Sequence, residues 1–223
     1  MSVLIYRDVH TAGVAAATMF ASALMENPRC NIGVTYDSSL DHTFDSLRAM
    51  LSDGLFSFAD ARLYQLCEFV PDSEDAASVQ SLLSNALFSN VEITADRYVV
   101  PFDDNRNWVQ ICSDFESDIL DHGGLDLVLL ALRQDGSLLY NLAGEELAPV
   151  THVETIGNEK VVSAGMATLM QAKKIMVVAT GMDCAETVRH MLCGPVCDKQ
   201  PVSYLALHQN VTFILDEEAA SLL

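Results

Sequence analysis

The side chains that invite a chemical reading cluster after apolar runs. Glu68 and Asp135 each stand near the end of a strand-like segment and are the carboxylates that a catalytic site would use if the chain is active. Cys67 sits beside Glu68, but a thiol of ordinary pKa is mostly protonated at neutral pH. It would act as a nucleophile only if that pKa were depressed, so a buried, unreactive thiol is the favoured reading. Arg133 follows the run Leu125 to Leu132 and either adds an anion contact or fills a cleft. In Gly33-Val-Thr-Tyr-Asp-Ser-Ser39, Asp37 or Ser39 suits the N-cap of a following helix. The six cysteines, Cys30, Cys67, Cys112, Cys184, Cys193 and Cys197, include no C-x-x-C pair and no histidine at zinc co-ligand spacing. Reduced thiols are therefore expected, with no metal and no cofactor.

These residues must be positioned by 223 residues of which half are apolar and 7% aromatic, so Leu, Val, Ala and Met must fill the core. Thirty-one acidic against twelve basic residues give a formal charge of −19. Such a field repels nucleic acid and anionic lipid, which argues against both as partners. It suits a soluble acidic surface, with a docking face for a basic partner as the alternative. Val14 to Met25 contains Ala21-Ser22-Ala23 and superficially resembles a secretory signal, but Arg7 and Asp8 balance before it. It reads as a core helix, no apolar run reaches membrane-spanning length, and a cytoplasmic location is expected.

Strand-like and helix-like segments alternate throughout. Strands are expected at Val3–Tyr6, Cys30–Val34, Leu63–Phe69, Leu125–Leu132, Lys174–Ala179 and Val211–Leu215, with a short extended piece at Tyr98–Pro101. Helices are expected at Thr11–Glu26, from Ser39 to near Gly54, and at Ser78–Phe88, Trp108–Leu120 and Cys184–Leu192. This alternation predicts a single α/β domain over residues 1–223, with a doubly wound, mostly parallel sheet flanked by helices. Ligands in such sheets bind at the carboxyl ends of the strands.

Three stretches, in order, resemble the glucosamine-6-phosphate deaminase/isomerase family, whose relatives include 6-phosphogluconolactonases. Leu63-Tyr-Gln-Leu-Cys-Glu-Phe-Val70 is similar to a strand ending in Asp-Glu-Tyr. Leu125-Asp-Leu-Val-Leu-Leu-Ala-Leu-Arg-Gln-Asp-Gly-Ser137 is similar to a strand followed by Gly-x-Gly-Asn-Asp-Gly-His. Ser163-Ala-Gly-Met-Ala-Thr-Leu169, with Ile175 to Gly181, is similar to a Gly-x-Gly-Thr-Leu turn and its following strand. Tyr140-Asn141 stands where the deaminase branch has Phe-Asn. The intervening Leu87-Phe88 and the segment 91–98 also fit.

The resemblance implies a sugar-phosphate cleft, and most of its catalytic positions are altered. The turn after the second strand would cradle phosphate with two glycines, for which Asp37 and Ser38 stand here, with Gly33 before them and Ser39 after. The family's general base is replaced by Cys67, with Glu68 retained. Its ring-opening histidine is Ser137 and a steering glutamate is Leu142, while Asp135, Gly136 and Asn141 survive. Its lysine is Cys184 after Gly181, and Arg133 takes a glycine's place. Asp135 would then cap the turn after its strand. The resemblance thus implies a catalytically degenerate member: a binding, regulatory or assembly subunit with a sugar or sugar-phosphate-like ligand. It would form a homo-oligomer or a hetero-oligomer with a paralogue. The alternative is a divergent isomerase, deaminase or hydrolase using Asp135 and Glu68. Cys67 and Cys184 are both expected to face the vestigial cleft.

Overall fold

A computed structural model of the chain describes residues 1–70, 78–88, 94, 96–102 and 107–223. Strand β1 (Ser2–Tyr6) runs into helix α1 (Val9–Glu26) through a reciprocal cap. Asp8 accepts the Thr11 amide at 2.8 Å, and the Asp8 amide returns a bond to the Thr11 hydroxyl at 3.2 Å. Strand β2 (Asn31–Val34) leads through a 3₁₀ turn at Ser38–Leu40 into α2 (Asp41–Ser52). There follow β3 (Arg62–Gln65), β4 (Cys67–Val70), α3 (Val79–Leu83) continued by a π-helical turn to Phe88, β5 (Tyr98–Val99) and α4 (Trp108–Asp121). The second half holds β6 (Leu127–Ala131), β7 (His152–Ile156), β8 (Glu159–Ser163), α5 (Met166–Met170), β9 (Ile175–Ala179), α6 (Ala185–Cys193) and β10 (Val211–Asp216).

Seven strands form a parallel sheet in the order β1-β10-β9-β6-β2-β3-β5. The chain winds outward from β2 through β3 to β5, then restarts at β6 on the other side of β2 and winds the opposite way. The switch point therefore lies between β2 and β6, where a parallel sheet opens a crevice at its carboxyl edge. All five residues of β6 and of β9 are buried. Leu127, Leu129, Ala131, Met176 and Val178 enter one core, with α1 and α2. Val128, Leu130, Ile175, Val177 and Ala179 enter the other, with α4 and α6. The strand period of two thus divides two continuous apolar runs between the two faces of the sheet.

Two features depart from the expected pattern. The predicted strand Leu63–Phe69 is two strands in two sheets, broken at Leu66. Leu66 donates its amide to Val34 of the large sheet and accepts the Ala164 amide beside the small one, both at 2.8 Å. The small sheet, antiparallel in the order β4-β8-β7, contains the β7–β8 hairpin, which the sequence reading passed over as a connection. Expected segment 91–98 lies partly outside the described residues. Among the described residues no helix is long and apolar enough to cross a membrane.

Helices α1 and α2 meet at Gly13. A Cβ there would come within 2.7 Å of the His42 Cβ and 2.9 Å of its backbone carbonyl carbon, so the two helices approach only because that atom is missing. Gly13→Val should therefore force the helices apart and cost about 1–3 kcal/mol, read as an earlier urea midpoint with an unchanged far-UV spectrum. A midpoint equal to the parent's would show that the contact gives way freely.

Candidate functional site

Two adjoining chambers open at the carboxyl ends of β2 and β6, at the switch point. The outer one, about 440 Å³, is walled by Asp37, Ser38, Ser39, Arg133, Gln134, Asp135, Thr180 and Cys184. The inner one, about 80 Å³, lies among Thr35, Cys67, Phe69, Val79, Leu139 and Tyr140. Asp37 and Arg133 belong to both walls. A larger apolar groove of about 630 Å³ lies elsewhere, between α4 and β7, along Val109, Leu120 and Val150. Of the residues singled out from the sequence only Cys112 lines it, and none of the candidate cleft residues does.

The loop leaving β2 is shaped by Asp37, whose Oδ1 accepts the Ser39 amide at 3.0 Å and the Ser39 hydroxyl at 2.7 Å. This is the expected cap, and it starts the 3₁₀ turn. Arg133 leaves β6 and lays its guanidinium 5.3 Å from the centroid of the Tyr140 ring. Its Nε is 3.8 Å from Asp135 Oδ1, is buried, and has no hydrogen-bond partner. Arg133 lines both chambers, with its side chain 38% exposed.

Cys67 starts β4 at 2% exposure, its Sγ 3.0 Å from the Thr35 hydroxyl. Burial pushes the thiol up to about 12, against an opposing pull from that hydroxyl and with a further push from the Glu68 charge. Cys184, buried behind β9, places its Sγ 3.8 Å from the Leu132 carbonyl. Its thiol is also raised, first by burial and then by Asp183, Asp37 and Asp216. Cys67 and Cys184 line different chambers and join the cores on opposite faces of the large sheet, so the expected single cleft faced by both thiols is corrected: Arg133 and Asp37 are what the two chambers share.

Other candidate residues lie outside the two chambers. Glu68 lines neither chamber and is 4% exposed. Its two oxygens accept five bonds, from the Phe69, Val79 and Gln80 amides, the Gln65 side chain and the Ser78 hydroxyl. It is an anchor holding α3 to β4, which corrects the catalytic part expected for it beside Asp135 in an active chain. Gly33 lies inside β2, where a Cβ would press on the Leu66 side chain at 2.9 Å and Val128 at 3.1 Å, so its role is packing. Gly136, at φ +77°, leaves the room its Cβ would need to the Gln200 amide. Ser137 is 1% exposed, donates its amide to Asp135 Oδ1 at 2.9 Å and accepts the Ala143 amide at 3.1 Å. Asn141 donates to the carbonyls of Leu138 and Ala164. It fastens a tight turn in which Leu139 takes a left-handed φ of +54°, a strain of about 1 kcal/mol for such a residue. Gly181, at φ +86°, donates its amide to both oxygens of Asp216 at 3.0 Å.

Sequence reasoning did not single out Thr35, Gln134 or Thr180. Thr35 and Thr180 directly follow apolar strand runs and Gln134 comes two residues after one, positions that could have flagged them. It also missed Gln65, which is fully buried and relays from the Tyr98 hydroxyl at 2.6 Å to Glu68 at 2.8 Å.

The comparisons agree with this architecture. Residues 8–214 match the family model described as glucosamine-6-phosphate isomerases/6-phosphogluconolactonase. The chain belongs to this family. It is 28% identical over 241 residues to a glucosamine-6-phosphate deaminase of Clostridium perfringens strain 13 and equally to one of Halothermothrix orenii, with all of each chain covered. A solved monomeric glucosamine-6-phosphate deaminase superposes with a TM-score of 0.93 at 24% identity, over the whole of both chains. A 6-phosphogluconolactonase of Trypanosoma brucei gives 0.80 at 19%, covering all of this chain and 98% of that one. The structural matches establish the shared fold.

Two outcomes follow from the geometry. Glu68→Ala should strand three backbone amides and cost about 3 kcal/mol or more, measured by urea unfolding; a loss no larger than that of a surface substitution would refute the anchoring role. The Cys67 thiol is raised from an ordinary value near 9 to about 12. The folded state then keeps a proton that the unfolded state releases, so stability present below pH 9 should decline as pH rises from 9 toward 12. Cys67→Ala should flatten that decline in stability curves collected across this range, and an unchanged slope would contradict the assignment.

Proposed function

We propose that this chain is a catalytically degenerate member of its family, kept as a binding, regulatory or assembly subunit in carbohydrate metabolism. The observation that carries this reading is the Cys67 thiol, buried beside Thr35 and held protonated where the family resemblance calls for a carboxylate base. A group that keeps its proton up to about pH 12 does not abstract one near neutrality. Ser137 supports the same reading: it stands in place of the family's imidazole, and its buried hydroxyl accepts the Ala143 amide. Asp37 brings a carboxylate into the turn that a phosphate cradle would occupy, which disfavours phosphorylated ligands. The cleft would take a small sugar-like ligand in the cytoplasm, and the chain would act as a homo-oligomer or beside an active paralogue.

A second reading, a divergent isomerase, deaminase or hydrolase, draws support from Asp135. Its side chain is half-exposed at the outer chamber, next to the guanidinium of Arg133. Glu68 has no part in this version, since its oxygens are already occupied.

Ammonia release from glucosamine 6-phosphate separates the two. Loss of the general base and of the acid–base histidine predicts turnover at least 10²–10⁴-fold below that of an ordinary family enzyme, roughly in line with the usual contribution of such groups. Neither Cys67→Asp nor Ser137→His alone should restore it, because each replaces one member of a set that acts together. Turnover of the unaltered chain near the typical enzyme range of about 1–10³ s⁻¹ would overturn the proposal.

A further inference from the structure

The groove between α4 and β7 takes no part in the cleft and has a chemistry of its own. Val109, Cys112, Glu116 and Leu120 recur along α4 at helical spacing, so they form one stripe, and Val150 and Val153 complete the lining from the β7 side. Helix α4 therefore has two apolar faces. Ile111, Phe115 and Ile119 are buried in the core, whereas Val109 is 83% exposed, Leu120 63% and Val150 51%. Apolar side chains left unpartnered singly are ordinary, but gathered along one groove they mark a contact surface. At about 630 Å³ the groove is larger than either chamber of the cleft. One carboxylate stands in its wall. Glu116 accepts the Thr151 amide at 2.7 Å and the hydroxyls of Thr151 and Thr168, all on a single oxygen. Its other oxygen has no donor among the described residues.

Charge selects among the possible occupants. Helix α4 carries Asp114, Glu116, Asp118 and Asp121 and no lysine or arginine, and the groove lining holds neither of these. The apolar stripe is thus set in a negative field. A second copy, itself at −19, brings like charge to it, and anionic lipid does the same. An added strand finds few donors on the β7 side, since the Thr151 amide is spent on Glu116 and the Thr155 amide on the Glu154 side chain. A helix with an apolar face flanked by lysine or arginine meets both demands, by side-chain packing and by charge. We propose that this groove docks a basic amphipathic helix of a partner protein. Its apolar side chains lie against Val109, Leu120 and Val150, and one cationic side chain reaches Glu116. The groove is separate from the cleft, so the proposal stands whether the cleft is degenerate or active.

Trp108, the only tryptophan in the chain, lines the groove, so its fluorescence reports occupancy directly. The full chain is titrated with a synthetic helix bearing Leu on one face and Lys on the other, with a scrambled peptide of equal composition, and with a Leu/Glu counterpart. The Leu/Lys helix should give a saturable change in Trp108 emission and bind about tenfold more tightly than the scrambled peptide, and the Leu/Glu counterpart should not bind. Val109→Ser and Leu120→Ser together leave charge and core untouched, and should weaken binding about tenfold at an unchanged melting temperature. Glu116→Gln keeps an acceptor for Thr151 and Thr168 and should weaken binding severalfold. If Glu116→Gln unfolds the chain, the serine pair still decides. Equal binding of the scrambled peptide, or full-strength binding by the serine pair, would overturn the proposal, since charge alone would then account for the affinity. A dimer in sedimentation velocity that Leu120→Ser dissociates would also overturn it, because a second copy would then be the occupant.

Discussion

Leu66 is one residue placed between two sheets, and the site is arranged around it. Its amide donates to Val34 and its carbonyl accepts from Ala164, so a single peptide segment serves the parallel sheet on one side and the antiparallel one on the other. A strand can change sheets in one residue only if its side chain finds room at the junction. Leu66 finds it over Gly33, where any Cβ would be about 2.9 Å from the leucine methyl. The fully buried Leu66 thus locks β2 and β3 together and sends the chain off as β4 immediately afterwards. Cys67 is the first residue past the junction, which is why it faces Thr35 at the end of β2 and not the interior of the large sheet.

That placement decides the electrostatics of the cleft. A side chain buried at this depth is strongly penalised for carrying charge, and a thiol satisfies the site by staying neutral. The polar atoms around it are mostly occupied: Thr35 by Cys67, Glu68 by its five donors, and Ser137 by Asp135 and Ala143. The unpartnered exception is the Nε of Arg133, whose charge is stabilised by the Tyr140 ring and Asp135. The charged groups Asp37, Arg133 and Asp135 all line the outer chamber, and Asp37 and Arg133 also reach the wall of the inner one, whose depth is left to the neutral Cys67 and Thr35.

Much of the fold was legible because β6 and β9 are apolar on both faces, a pattern that only a covered parallel strand requires. The order of helices and strands followed from the apolar runs and from breaks such as Asn27-Pro28 after α1 and Gly123-Gly124 before β6. The hairpin β7–β8 was not legible in the same way. His152–Ile156 is mostly half-exposed and mixes charge with apolar residues, so its alternation is weak, and only Gly157-Asn158 marks the turn. The break at Leu66 was hidden for the opposite reason, since Leu63 to Val70 is apolar enough to continue as one strand and the break depends on Ala164, nearly a hundred residues away. Within the site, Asp37, Arg133, Asp135 and Cys184 were found as members of one chamber. The burial of Glu68 was not, because three of its five donors, Ser78, Val79 and Gln80, come from the start of α3, ten or more residues along the chain.

The division between retained and altered positions has a physical logic on the proposed reading. Glu68, Gly136 and Asn141 match the family motifs, and each does work that the fold needs. Glu68 holds α3, Gly136 admits Gln200 at a left-handed φ, and Asn141 fastens a strained turn. Cys67, Asp37 and Cys184 depart from the motifs, and all three line a chamber. Ser137 is the instructive intermediate: its hydroxyl accepts the Ala143 amide, so the substitution has been absorbed into the turn. A site that loses its chemistry while its fold is maintained should look like this. Replacements in the cleft need only be small and neutral enough to avoid an unpaired buried charge, which a cysteine in place of an aspartate and a cysteine in place of a lysine both achieve. Asp37 is the exception that carries information. It adds a charge to a turn that a serine or threonine could have capped, and on the proposed reading that carboxylate disfavours an anion at the outer chamber.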